Sequence, residues 1–268
     1  MTKITAMTTI CADIFDATGE IRPGGEALNF AAVACEYPQV QMSLISVIAE
    51  DECGREALRS IEKKRIDKSG IHMVKEGITA NNRIYLTEAG DRYFKADSWN
   101  GSILEQHKLT EEDRANLAQA DLVFLNYDCP NREEVLALKR SCHFKLAIDF
   151  DVMRDFILFD KISSYVDFFF ISGEEKLLPQ FKQLSEKYPC IYNITLAEQG
   201  SVSYQNGIEY RVGAVPVKHV VDTTGCGDSY HAGFICSYME KRDITAAMEE
   251  GSRIASQTLS HVGGFLYK

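Results

Sequence analysis

The sequence predicts an α/β protein in which a mostly parallel sheet lies between two layers of helices. From residue 110 onward, short apolar segments alternate with amphipathic segments, which is the pattern of successive strand–helix–strand units. The composition is 45% hydrophobic and 25% charged over 268 residues, as is usual for a globular protein with a large core. We therefore expect a three-layer α/β/α sandwich that occupies one domain, residues 1–268.

The predicted elements follow the chain in order. In the first half, apolar clusters predict strands at residues 4–10 and 42–48, and amphipathic spacing predicts helices at 26–35 and 55–65. In the second half, strands are predicted at residues 122–125, 146–150, 166–171 and 191–196. Helices are predicted at residues 132–140, 152–162, 174–187, 228–241 and 244–261. Right-handed crossovers would place these helices on both faces of the sheet.

One predicted hairpin does not fit this rhythm. Residues 82–87 and 92–97 alternate in polarity and flank an Ala-Gly-Asp turn at 89–91. Together with a short strand near residues 15–21, they predict a small second sheet that projects from the main one. Its expected contributions are residues of about 13–23 and 78–98.

A second hairpin is predicted near the end of the strand series. Residues 201–205 and 208–212 flank an Asn-Gly pair at 206–207, which is the strongest short hairpin signal. We expect this hairpin to extend the main sheet at one edge.

Charge and composition exclude several classes of partner and location. The chain carries 29 Lys and Arg against 39 Asp and Glu, a formal charge of -10, without a basic block, so nucleic acid and anionic membranes are not expected partners. No apolar segment approaches the roughly 20 residues that span a bilayer, and the N-terminus lacks the apolar core of a signal peptide. None of the eight cysteines forms a CxxC pair, so reduced thiols in a cytoplasmic protein are expected.

The most informative motif is DTTGCGD at residues 222–228, which leads into a predicted helix. Gly225 and Gly227 leave the backbone N–H groups of 225–228 free to converge on an anion, and the helix dipole adds positive potential there. Asp228 would hold its carboxylate beside this cradle, where it could take a proton from an attacking hydroxyl. A plain capped helix uses Asp and Gly at the same places, so the motif by itself leaves both interpretations open.

A second motif, GGEALN at residues 24–29, opens the first predicted helix. Gly25 lets a ligand approach the backbone, and Asn29 lies one helical turn further on. Asp13, after the first strand, faces the same sheet edge, and an Asp with an Asn suits vicinal hydroxyls. A glycine turn with an exposed Asn and an ordinary turn Asp is the alternative.

Asp149 and Asp151 lie at the end of a predicted strand. They could face a magnesium–phosphate region, or they could be a solvated strand terminus.

In combination, these motifs resemble the ribokinase-like (PfkB) family of carbohydrate kinases. Order, separation and the flanking strand–helix pattern agree over essentially the whole chain. Chain length and the stretch 252–265 look most like the fructosamine (fructoselysine) 6-kinase branch. The resemblance implies a ribokinase-like sandwich, with the small sheet as a lid over the substrate and as a surface through which a homodimer could form. It also implies that the substrates are a sugar and ATP, with Mg²⁺ and K⁺ as cations.

The resemblance also implies a role for each matching residue. Asp228 would be the catalytic base, the amides of Gly225, Cys226 and Gly227 would form the anion hole, and Asp13, Gly25 and Asn29 would hold the sugar. Thr195 and Gly200, in the segment 195–200, and Ser252 would bind the nucleotide. Glu175 would help to position Mg²⁺, and Asp222 and Thr224 would bind the monovalent cation.

Several positions depart from the family pattern, among them Ala49, which replaces the glycine of a GxDxxG segment. Ser172 replaces the Asn of the NxxE segment, which puts the nucleotide contact at 172 in doubt. Ala197 replaces a glycine where the backbone approaches the nucleotide. Cys226 replaces Ala in the anion hole, where the helix N-terminus could polarise its thiol and make it sensitive to oxidation.

These observations favour an ATP-dependent kinase that phosphorylates a primary hydroxyl of a sugar or of a ketosamine such as fructoselysine. A nucleoside kinase with the same fold and a catalytically silent sugar-binding homologue are the alternatives. No GxxxxGK[ST] segment occurs, no GxGxxG follows the first strand, and the six histidines contain no HExxH or close pair. Walker-type NTPases, dinucleotide enzymes and histidine metal sites are therefore not expected.

Overall fold

The main sheet has nine strands, and the strand and helix bounds come from a computed structural model that describes residues 1–86, 92–93 and 95–267. The strands are β1 (Thr2–Thr8), β2 (Cys11–Phe15), β3 (Ile21–Gly24), β4 (Val40–Ala49), β5 (Ile66–Val74), β6 (Asn81–Leu86), β7 (Arg92–Tyr93), β8 (Trp99–Asn100), β9 (Leu122–Asn126), β10 (Lys145–Asp149), β11 (Phe168–Ser172), β12 (Ile191–Thr195), β13 (Ser201–Gln205) and β14 (Ile208–Val212). Their order in the main sheet is β14-β13-β12-β11-β10-β9-β1-β4-β5. The neighbours from β12 to β5 pair in parallel, whereas β13 and β14 are antiparallel. The predicted, mostly parallel sheet is confirmed.

Helices cover both faces of this sheet because each parallel connection must cross over it. They are α1 (Glu26–Ala34), α2 (Glu52–Ser60), α3 (Ser102–Gln106), α4 (Glu111–Gln119), α5 (Arg132–Lys139), α6 (Phe156–Ile162), α7 (Leu178–Lys187), α8 (Cys226–Lys241) and α9 (Ile244–Thr258). One core packs α1, α2, α8 and α9 on one face, where Phe30 stacks on Phe124 at 4.1 Å. The other packs α4 to α7, where Phe150 stacks on Phe169 at 3.9 Å. These two cores make the three predicted layers.

The hairpin at the sheet edge is confirmed with the predicted bounds. β13 and β14 pair from Gln205 with Ile208 to Ser201 with Val212. Asn206 and Gly207 both have positive φ, 52° and 76°, which is the backbone that a two-residue turn of this type requires.

A small second sheet is also present, in the order β3-β2-β6-β7, with β8 paired to β6. The single strand predicted near residues 15–21 is wrong, because two antiparallel strands, β2 and β3, flank a turn there. Thr87 and the predicted turn at 89–91 lie outside the described residues. The strands of the small sheet therefore come from the chain segment before α1 and from the segment after α2.

The sequence patterns missed β5, β8, α3 and α4 and misplaced the starts of α2, α6, α7 and α8. β5 lies at the sheet edge and is largely half-exposed, so it lacks a continuous apolar run. Helix α2 begins at Glu52, where Asp51 caps it by accepting the Gly54 N–H at 2.8 Å, and α6 begins at Phe156, capped by Asp155. Side-chain caps therefore set these starts.

The architecture brings several chain segments together at one edge of the main sheet. In a parallel sheet, the carboxyl ends of the strands share an edge, and ligands bind in the crevice beside it. β1, β9, β10, β11 and β12 all end there, and the loops that follow them carry the polar residues considered next. Within the described residues, no helix is long and apolar enough to cross a membrane.

Candidate active site

The N-terminus of α8 forms the centre of the site. Gly225 has φ 70° as the residue that precedes the helix, a left-handed backbone that favours glycine. A Cβ there would meet the Cα of Gly264 at 2.4 Å, so the loop is packed directly against the C-terminal segment. The first N–H groups of a helix have no intrahelical partner, although the Cys226 N–H donates to the Thr223 carbonyl at 3.2 Å. The helix therefore begins at the motif as expected, and the role of these N–H groups as an anion cradle stays a prediction.

Asp228 lies buried in the first turn of α8, with 9% of its surface exposed. Its Oδ2 accepts a hydrogen bond of 2.8 Å from the Asn29 Nδ2. Burial, and next the nearby charge of Glu26, raise the pKa of Asp228 to about 7, while the Asn29 hydrogen bond acts in the opposite direction. A carboxylate with a pKa near neutrality is suited to take up a proton and release it again.

Further carboxylates surround Asp228. Burial raises the pKa of Asp149 well above its ordinary value, and the charges of Asp228 and Glu26 add to the shift. Burial also raises the pKa of Glu26, with Asp128 contributing repulsion, and Oε2 of Glu26 is buried without a hydrogen-bond partner among the described residues. So many acidic groups at short range are unfavourable unless a cation or a proton is shared among them.

The residues predicted to hold the sugar converge near Asp228. Gly25 has φ 102°, and a Cβ there would meet the Thr9 carbonyl oxygen at 2.5 Å, so the close approach of two backbones requires glycine. Asn29 is 3% exposed, and its Oδ1 has no hydrogen-bond partner while its Nδ2 is bound to Asp228. Asp13 lies on β2. Burial raises the pKa of the Cys11 thiol most, and the charges of Glu26 and then of Asp13 raise it further. The contact between Asn29 and Asp228 was not predicted.

A cavity of about 350 Å³ adjoins the N-terminus of α8. Predicted residues that line it are Thr195, Gly200, Cys226, Gly227 and Ser252. Ala214, Val215, Ala255 and Leu259 give part of its wall an apolar surface, which suits a flat aromatic base. Asp149 and Asp151 lie at the same cavity, so the strand-end carboxylates face the site.

Ala197, which replaces a family glycine, lies next to this cavity with φ 51°. The left-handed backbone costs a non-glycine residue roughly 1–2 kcal/mol. Position 197 therefore has a backbone that glycine would adopt without this cost. Gly200 follows with φ 94°, and a Cβ there would meet the Val212 carbonyl oxygen at 2.1 Å.

The residues predicted to bind cations have other partners. Glu175 is about half exposed and forms an ion pair with Arg211 at 2.7 Å, and it is not among the described residues that line the cavity. Asp222 is buried and accepts hydrogen bonds from the Thr224 backbone and hydroxyl and from the Gly263 N–H at 2.8–3.0 Å. It thereby ties the loop before α8 to the C-terminal segment.

One side chain at the site differs from the sequence expectation, and a second was not anticipated from the sequence. Burial raises the pKa of the Cys226 thiol, and Asp228 raises it further, so the expected polarised thiol is wrong. His231, which no motif indicated, lines the cavity one turn after Asp228, with its Nδ1 3.6 Å from Asp149 Oδ2. Burial lowers the pKa of His231 to about 3, so its ring is neutral.

Comparison with known proteins places this geometry in context. Residues 16–265 match the family model described as pfkB family carbohydrate kinase. The chain is 28% identical over 258 residues to the fructoselysine 6-kinase of Shigella flexneri, covering 95% of this chain and 96% of that protein. It is 25% identical over 275 residues to a fructosamine kinase of Bacillus subtilis (strain 168), covering 99% and 93%.

Solved structures share the fold at low sequence identity. The structure of Arabidopsis thaliana ribokinase complexed with ribose and ATP aligns with a TM-score of 0.83 at 16% identity, covering 98% of this chain and 94% of that chain. This likeness confirms the ribokinase-like sandwich predicted from the sequence.

Proposed function

The chain belongs to the pfkB family of carbohydrate kinases, and we propose that it transfers the γ-phosphoryl group of ATP to a primary hydroxyl of a ketosamine such as fructoselysine. As a family member it is an ATP-dependent sugar kinase. One observation carries the proposed mechanism. Asp228, a buried carboxylate whose pKa is raised to about 7, lies at a helix N-terminus, where it is hydrogen-bonded to Asn29 and directly follows Gly227, which lines the cavity.

In the proposed reaction, the substrate hydroxyl gives its proton to the Asp228 carboxylate as its oxygen attacks the γ-phosphorus. The bond between that phosphorus and the bridging oxygen breaks, and ADP leaves. Backbone N–H groups of residues 225–227 and the helix dipole stabilise the negative charge that develops on the transferred group. Asn29 fixes the orientation of the base through its 2.8 Å hydrogen bond to Asp228.

The acidic surroundings of Asp228 favour an aminated sugar over a neutral one. Glu26 has a buried carboxylate oxygen without a hydrogen-bond partner, and Asp128 is the first charge to raise its pKa. A ketosamine carries an amine that is cationic at neutral pH, and a cation would relieve this repulsion. The relatives named fructoselysine 6-kinase and fructosamine kinase, which match nearly the whole chain, support the same substrate class.

The described residues fit the cations that ATP chemistry needs. Asp149 and Asp151 offer carboxylate oxygens at the cavity, which are the ligands that Mg²⁺ prefers. These two residues, rather than Glu175, would hold Mg²⁺, which neutralises phosphate charge when bound. Asp222 and Thr224 stay the predicted residues for K⁺. On the nucleotide side, Thr195, Gly200 and Ser252 line the cavity into which ATP is proposed to bind.

A substrate panel tests the proposal. ADP release is measured with ATP, Mg²⁺ and one acceptor at a time: fructoselysine, other ketosamines, fructose, ribose and several nucleosides. We expect the highest kcat/KM for a ketosamine. A preference for a nucleoside or for a neutral sugar would contradict the proposed substrate. Thermal stabilisation by sugars without ATP turnover on any acceptor would indicate a silent binding protein.

A further inference from the structure

A second group of chemically active side chains lies outside the active site. His72 on β5, His107 directly after α3 and Asp113 in the first turn of α4 come together from three separate elements. One ligand atom from each lies within 4.8 Å of the other two. The His72 Nε2 is 2.8 Å from Asp113 Oδ2 and 3.0 Å from Oδ1, and the two imidazole centroids are 5.2 Å apart.

The second imidazole has an unsatisfied atom in this group. The Nε2 of His107 is buried without a hydrogen-bond partner among the described residues. A buried polar nitrogen is rarely left unpaired in a folded protein, so this atom points to a missing ligand.

The carboxylate is held in place with one oxygen available. Asp113 is 2% exposed, and its Oδ2 accepts hydrogen bonds of 2.8 Å from the Thr110 backbone N–H and from the Thr110 hydroxyl. The Asp113 backbone N–H in turn donates to the Thr110 hydroxyl at 3.1 Å. This capping box fixes the side chain, while Oδ1 contacts the His72 ring. Because the helix cap uses only Oδ2, Oδ1 can bind a cation without loss of the cap.

Two imidazoles and one carboxylate form a ligand set typical of Zn²⁺ and related transition metals rather than of Mg²⁺. Three protein ligands leave a position for water. A separate cavity of about 350 Å³ adjoins both histidines, and Glu76 and Lys108 are the charged residues in its lining.

We propose that His72, His107 and Asp113 bind one transition-metal ion of the Zn²⁺ class, and that this ion joins the two connections of the small sheet. The chain leaves β5 after His72 and enters β6 through residues 75–80, and it returns from β8 through α3 to His107. A metal bound to both histidines ties the entering and leaving segments together at the base of the small sheet.

Cobalt titration of the purified full chain tests the site. After treatment with a chelator, Co²⁺ is added to the wild type and to His107→Ala, with His143→Ala as the control because His143 is an exposed histidine on another surface. We expect one equivalent to bind to the wild type and the control with the strong visible absorption of four- or five-coordinate Co²⁺, whereas any Co²⁺ held by oxygen ligands at Asp149 and Asp151 would absorb weakly. His107→Ala should bind at least about tenfold more weakly. Zn²⁺ should displace Co²⁺ and raise the thermal midpoint by about 5 °C when in large excess over its Kd.

Two results would overturn the proposal. The first is weak octahedral absorption in the wild type, which needs no folded variant to interpret. The second is equal Co²⁺ affinity in His107→Ala and His143→Ala. Hydrogen exchange tests the link to the small sheet, since Zn²⁺ should slow exchange in residues 75–80 and 101–106. Unchanged exchange at saturating Zn²⁺ would contradict that link.

Discussion

At the residue scale, Asp228 is both the proposed catalytic base and a site of local instability in the fold. Its pKa is raised from an ordinary value of 3.8 to about 7 because it is buried and close to Glu26. Between these pH values the folded chain binds more protons than the unfolded chain. The free energy of unfolding therefore falls as pH rises through this window. The same repulsion that destabilises the charged form makes the carboxylate basic enough to accept a proton.

Replacing Asp228 should therefore stabilise the protein at alkaline pH. We expect Asp228→Asn to increase the free energy of unfolding by about 2–4 kcal/mol at pH 8, because one pKa unit corresponds to about 1.4 kcal/mol. The gain should vanish near pH 4, where the wild-type carboxyl is protonated as well. Urea unfolding at both pH values measures the difference, with Glu62→Gln, at an exposed site, as the control. A gain that did not depend on pH would contradict the assigned charge state.

Glu26 is expected to decide between aminated and neutral sugars. Glu26→Gln removes the charge proposed to face the substrate amine, so the KM for a ketosamine should rise by about 10–100-fold, as for a lost charged hydrogen bond. The KM for a neutral sugar should change little. Steady-state kinetics with both acceptors measures the split, again beside Glu62→Gln.

The same variant has a second, independent readout. Glu26 is the first charge that raises the pKa of Asp228, so Glu26→Gln should shift the inflection of kcat/KM to lower pH. An unshifted profile together with an unchanged KM would remove Glu26 from the site.

At the element scale, the start of α8 depends on the backbone of one glycine. Gly225 combines φ 70° with a would-be Cβ only 2.4 Å from the Gly264 Cα. We expect Gly225→Ala to lower the free energy of unfolding by about 2 kcal/mol or more, because left-handed strain and a backbone clash act together. Gly213→Ala is the matched control, since no heavy atom lies within 4 Å of its would-be Cβ. Equal midpoints in chemical unfolding would contradict this account of the loop.

Elements were predictable where one local signal dominates. The β13–β14 hairpin follows from its Asn-Gly turn, and α8 follows from the glycine motif before it. By contrast, β5 is an edge strand with mostly half-exposed residues, and the start of α2 depends on the Asp51 cap. Tertiary pairing and side-chain caps decided those elements, and neither is visible in local periodicity.

At the scale of the whole molecule, the family motifs predicted which segments meet but not every contact between them. Thr195, Gly200 and Ser252 do line one cavity with Cys226 and Gly227. The ion pair of Glu175 with Arg211 and the convergence of His72 with His107 depend on segments far apart in the chain. Sequence spacing indicated no close histidine pair, because the fold, and not the local sequence, brings these side chains together.

Closure of the small sheet over substrate should be visible through Trp99, the single tryptophan of the sequence. Trp99 lies in β8, paired with Asn82 of β6, and its side chain is 49% exposed. If the small sheet covers the sugar, the indole should lose water contact and its emission should shift to shorter wavelength when the substrate is added. Trp99→Phe identifies the signal, and unchanged emission at a saturating substrate concentration would argue against closure.

Because the whole chain is acidic, binding of an anionic nucleotide requires positive potential close to the site. A protein with a net charge of -10, and with Asp149 and Asp151 at the cavity, must bind an anionic nucleotide. In the proposed mechanism, backbone N–H groups at the α8 terminus and a divalent cation would provide the attraction. The α8 terminus and the two aspartates line the same cavity.

The turnover of Asp228→Asn tests the central claim most directly. With ATP, Mg²⁺ and the best acceptor from the panel, we predict that kcat falls by about 10³-fold or more, because proton removal in the transition state is lost. ATP affinity measured by calorimetry should stay within a few-fold of the wild type, since the side chain replaced is not proposed to hold the nucleotide. A folded Asp228→Asn protein that turns over at a near wild-type rate would contradict the assignment of Asp228 as the catalytic base.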